Sequence, residues 1–168
     1  MHRIATRGRL LFLAGLIIWL GSVGASGKPA PQDETAGRFV GTWRLVSVVG
    51  ANGEPTANFG PHPIGLLIYD RTGHMAVQIM PDRLRPKYAA SQPTPDEARA
   101  ALMGYVAYFG TYTVDEHAQT VTHHRDGNIT PAALGDTVRN YKFETDDRLI
   151  LAQADQNQPS NLIWERIK

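Results

Sequence analysis

Two features of this chain have the residue types and spacing for chemistry: the adjacent histidines His123 and His124, and an arginine that alternates with aromatics in Val138-Arg139-Asn140-Tyr141-Lys142-Phe143. Adjacent residues of a strand point to opposite faces, so His123 and His124 do not chelate one ion together. A metal site would need distant partners such as His62 or His74, and none is expected. If Val121 faces inward then His123 does too, leaving His124 outside with Thr120 and Thr122. Arg139 shares a face with Tyr141 and Phe143, which predicts a guanidinium aimed inward. Such a group must find a carboxylate, a carbonyl or a ligand. Tyr105, Tyr108 and Tyr112 add phenols on a neighbouring segment, with Tyr108 and Tyr112 expected inward and Gly110 leaving room between them. Tyr108, Tyr112, His123, Arg139 and Tyr141 are therefore the candidate ligand-binding residues. In an enzyme, His123 would be the general base and Arg139 or a tyrosine would steady developing negative charge. There is no Gly-x-Ser-x-Gly elbow, phosphate-cradling glycine loop or dinucleotide fingerprint, and no cofactor is expected.

The elements that must position these groups read as strands. Short runs rich in Val, Ile, Tyr, Phe and Thr alternate with turn signals, about eight in all. They fall at residues 42–49, 64–70, 74–80, 105–114, 120–125, 137–144, 148–153 and 162–167. The clearest hairpin joins the second and third through Arg71-Thr72-Gly73, where Gly73 suits the left-handed position. One helix is signalled by Thr94-Pro95-Asp96-Glu97, a capping box with proline at the first helical position, and it ends at Gly104. Strands joined by short turns, interrupted once, predict an all-β, antiparallel up-and-down β-barrel with one short helix acting as lid or plug.

Within that plan the first and last strands become neighbours. Trp43 and Arg166 are then placed to close one end of the barrel, the guanidinium lying over the indole and bonding backbone carbonyls. The segments at 64–68 and 75–80 are apolar on both alternate faces, which asks for an outer cover from the helix or from a homodimer. A lumen filled by Trp43, Phe109, Tyr141 and Trp164 would leave no cavity.

The first 25 residues stand apart. Arg3, Arg7 and Arg9 precede an apolar run at 10–20, and Val23-Gly24-Ala25 supplies small residues at a cleavage point, the pattern of a secretory signal peptide. Residues 26–38 are expected to be a flexible stalk and 39–168 the barrel domain. The leader holds three of the 17 Lys and Arg and none of the 16 Asp and Glu, leaving a balance of −2. The basic whole-chain charge thus comes from the targeting segment, and a nucleic-acid partner is not expected. With no cysteine, one hydrophobic core must stabilise the domain alone. The product is expected to be periplasmic or secreted, with no stable membrane insertion once the leader is cleaved.

The run Gly41-Thr42-Trp43-Arg44-Leu45-Val46-Ser47, then Gly65-Leu66-Leu67-Ile68-Tyr69-Asp70 and Gly73-His74-Met75, resembles the single-domain lipocalin-like family of bacteria and fungi. Tyr105 to Tyr112, Val121-Thr122-His123-His124, Val138-Arg139 and Arg148-Leu149 extend the likeness over nearly all of the mature chain. The resemblance implies a calycin-type barrel with an internal cavity for a small hydrophobic molecule; some relatives act as cyclases or isomerases. It carries over no catalytic set. The leading expectation is a non-catalytic binding protein, with a cofactor-free isomerase, cyclase or lyase as the enzyme alternative and a packed interaction or dimerisation module as the third.

Overall fold

A computed structural model describes residues 31–83, 85–153 and 160–168. The expected leader at 1–25 and the first part of the expected stalk lie outside the described residues. Eight strands, β1 (Gly41–Gly50), β2 (Ile64–Tyr69), β3 (His74–Met80), β4 (Val106–Asp115), β5 (Thr120–Asn128), β6 (Gly135–Thr145), β7 (Arg148–Gln153) and β8 (Ser160–Arg166), form a closed barrel in chain order. Every neighbouring pair is antiparallel, and β8 returns to β1 with Trp43 opposite Arg166 and Leu45 opposite Trp164. Closure leaves none of these strands an unpaired edge, which is how an isolated antiparallel sheet avoids pairing with other chains.

Alternation along the strands sets the core. Trp43, Leu45 and Val48 from β1, Leu67 and Tyr69 from β2, Met75, Val77 and Ile79 from β3, Val121 and His123 from β5, Leu149 and Leu151 from β7, and Trp164 from β8 are buried. Apart from the hydrogen-bonded ends of His123 and Tyr69 and the Trp indoles, these are hydrocarbon surfaces, the ordinary filling of a small barrel.

The N-terminal segment departs from the expected stalk. Residues 31–39 form a helix, α1 (Pro31–Phe39), with proline at its start and Arg38 in its last turn. A helix this short is marginal alone. Its anchor is Phe39, fully buried and packed edge-on against Tyr69, Tyr141 and Phe143 with centroids 4.9–5.4 Å apart. Arg38 adds an ion pair to Asp146 and lies 4.2 Å over the Phe143 ring. Sequence periodicity could not reveal a helix held by the tertiary contacts of its last two residues.

The expected helix is present as α2 (Pro95–Met103), capped as read: the Glu97 amide donates to Thr94 Oγ1, and the Glu97 carboxylate accepts from the Thr94 amide. It buries no residue. The plug of the barrel is thus α1, and α2 is an outer appendage tied down by Arg85, which donates to the Ala101 carbonyl and stacks on Tyr105.

The doubly apolar strand β2 turns Ile64, Leu66 and Ile68 outward, where they stay exposed in the single chain. Ile68 lies opposite Ala76, which lies opposite Phe109, so these side chains form one outer apolar strip across three strands. The helix α2 does not cover it, because Phe109 retains 60% of its exposure and Ile68 39%.

Candidate functional site

The end of the barrel at which β1 begins is shut. Arg166 lies 4.1 Å over the Trp43 ring and donates to the carbonyls of Val40, Arg38 and Asp146. The Trp43 indole in turn donates to the Phe39 carbonyl at 2.8 Å. Gly41 makes the arrangement possible: its φ of +143° strains any other residue, and a Cβ there would strike the Arg166 guanidinium. Tyr112 and Tyr141 belong to this end too. Tyr112 packs 4.6 Å from Tyr69 and donates its hydroxyl proton to the Asp70 carbonyl, while Tyr141 packs edge-on against Phe39.

Farther along the lumen the polar groups gather. On β5, Val121 and His123 face inward and His124 faces out, where it contacts Asp136 at 2.7 Å and Thr113 at 3.0 Å. His123 is 1% exposed, and both of its ring nitrogens are occupied: Nε2 meets the Tyr69 hydroxyl at 2.6 Å and Nδ1 meets the Tyr108 hydroxyl at 2.9 Å. Burial, then the positive charges of Arg139 and Arg125, push the His123 pKa down to about 3, so it is neutral in ordinary solution. Burial also holds the Tyr69 and Tyr108 phenols above their usual range, Tyr69 well above it, against the opposing pull of Arg139. Arg139 projects inward from β6 beside these groups, and its buried Nη1 has no hydrogen-bond partner among the described residues. Arg125 lies 5.9 Å over the Tyr108 ring but gives its own hydrogen bonds to the carbonyls of Gly135 and Leu134.

The structure therefore brings Tyr108, His123 and Arg139 together and places Tyr112 and Tyr141 in the aromatic plug. Sequence reasoning missed Tyr69. Strand β2, apolar on both faces, offered no parity of its own; the cross-strand register supplies it, because Leu67 lies opposite the inward Trp43 and Tyr69 follows in phase. Two further expectations are corrected. Phe109 is 60% exposed and lies outside the barrel against Gly127, so it does not fill the lumen. Gly110 does not leave lumen space: a Cβ there would collide with the His124 carbonyl, and the glycine instead lets β4 approach β5 where β5 bulges by one residue.

A separate surface groove of about 790 Å³ lies between α2 and the preceding loop, lined in part by Pro81, Arg85, Tyr88, Ala101 and Met103. None of the lumen's polar residues reaches it. Among the described residues no three His, Asp or Glu side chains stand close enough to hold an ion, and no helix is long and apolar enough to cross a membrane.

A family model described as a lipocalin-like domain matches residues 40–167. None of the curated proteins matches the chain.

Proposed function

The chain belongs to the lipocalin-like domain family, and from that premise we propose that it is a binding protein that holds a small, mostly apolar molecule in the barrel and fixes its polar end with Tyr108, His123 and Arg139. The observation that carries this reading is the polar cluster itself. In a lumen otherwise lined by hydrocarbon and aromatic rings, a buried Tyr69–His123–Tyr108 chain stands beside a guanidinium with one nitrogen unpartnered. An apolar container with a few placed polar groups is the usual build of a small-molecule site. The same geometry weighs against proton abstraction. A histidine whose pKa lies near 3 is a weak base at neutral pH, and phenols already engage both of its nitrogens.

Export is part of the proposal and is supported by the leader pattern of residues 1–25. Native mass spectrometry on protein recovered from its own host tests both parts. The expected spectrum shows a polypeptide lacking the leader and a small molecule bound one to one, released on denaturation. A polypeptide free of any ligand would remove the tight carrier, and an intact N-terminus would remove cleavage.

A further inference from the structure

We propose that the polar end of the ligand is an anion, most simply a carboxylate, seated between Arg139 Nη1 and the Tyr108 hydroxyl. The inference rests on the lumen being a binding site and goes on to say what that site selects.

The chain Tyr69–His123–Tyr108 contains two phenolic protons and, with a neutral imidazole, one N–H; its two contacts consume two of the three. One phenol is left with a proton and no acceptor inside the chain. Tyr69 is the more deeply enclosed of the two, so stranding its proton costs more. The favoured arrangement has Tyr69 donating to Nε2 and Nδ1–H donating to Tyr108. The Tyr108 O–H then points at whatever enters the lumen, and Tyr69 acts as the positioning residue that sets the imidazole tautomer.

Arg139 brings a permanent cation with a buried nitrogen that has no hydrogen-bond partner among the described residues. No inward position of the eight strands carries Asp or Glu: Asp115, Asp126, Asp136, Glu144 and Glu165 all lie on the outer face or at strand ends. His123 is neutral and already engaged. Among the described residues the lumen therefore has surplus donors, one of them charged, and no acidic acceptor of its own. An anionic acceptor from outside satisfies that set, whereas an alcohol or amine brings further protons to it.

The test is a fluorescence titration of the purified protein with a dansyl-labelled undecanoic acid and its methyl ester at neutral pH. The acid is expected to bind about tenfold or more tighter than the ester, the size of a charge-assisted hydrogen bond. Arg139→Gln is expected to bring the acid down to the ester's level while leaving the ester unchanged. Tyr108→Phe, which keeps the ring and deletes one donor, is expected to weaken the acid about fivefold and supplies the check if Arg139→Gln does not fold. Equal binding of acid and ester overturns the anion inference and leaves the binding reading standing. An acid preference that survives Arg139→Gln overturns the assignment to this site. Failure of both probes to bind overturns the inference and the binding reading together.

Discussion

His123 shows what one buried residue imposes on a barrel. Unfolded, it takes up a proton near its ordinary value of 6.5; folded, it resists protonation until about 3. Between those values the unfolded state binds the extra proton. The contribution is therefore fully present above about 6.5 and is lost as the pH falls toward 3, at roughly 1.4 kcal/mol per pH unit. Urea unfolding followed across that window is expected to show this one-proton slope in the native protein and to lose it in His123→Gln. An unchanged slope would mean that His123 is not buried neutral between the two phenols. The inward facing of Arg139 was legible from the clean alternation of its segment, whereas that of His123 followed only if Val121, the one apolar residue of 120–125, faced inward, as it does. Tyr69 was not legible, because Leu66, Leu67 and Ile68 give β2 no polar face to read and only its register against Trp43 decides which way the phenol points.

Individual elements were readable to the extent that they carry their own signals. The strand order, the hairpin at Gly73 and the capping box of α2 are local matters of turn chemistry and periodicity, and all three stand in the structure. The helix α1 has no such pattern; it exists because Phe39 has a hole to fill. That contrast separates the two helices in stability. Thr94→Ala removes the cap of a helix that buries nothing, so the loss of about 1 kcal/mol is expected locally. Amide exchange across 95–103 should rise while the global melting point stays put. Arg166→Met acts at the closed end, where three backbone carbonyls and the Trp43 face lose their cation together. A global loss of about 2–4 kcal/mol is expected in chemical denaturation, and a loss below 1 kcal/mol would show that Trp43 and Phe39 close the barrel without it.

At the scale of the whole molecule, one pairing differs in kind from the rest. Seven of the strand pairs join neighbours in sequence, whereas β1 and β8 close the sheet across the full length of the domain. Bringing distant segments together costs chain entropy that no nearby contact repays until the seam forms. Closure should therefore come after the hairpins. Val48 and Val77 separate the two events with identical chemistry: both are buried, Val48 opposite Leu162 across the seam and Val77 opposite Leu67 within the β2–β3 hairpin. Each change to alanine is expected to cost about 1–3 kcal/mol, but through opposite arms of the kinetics. Val77→Ala should slow refolding, since its contacts belong to a local hairpin already formed in the transition state. Val48→Ala should leave refolding nearly unchanged and speed unfolding, since the seam is made last. Stopped-flow refolding of the two variants decides the order. If Val48→Ala slows refolding as much as Val77→Ala does, the barrel closes early, and the seam of Trp43, Leu45 and Trp164 is part of the folding nucleus rather than its final step.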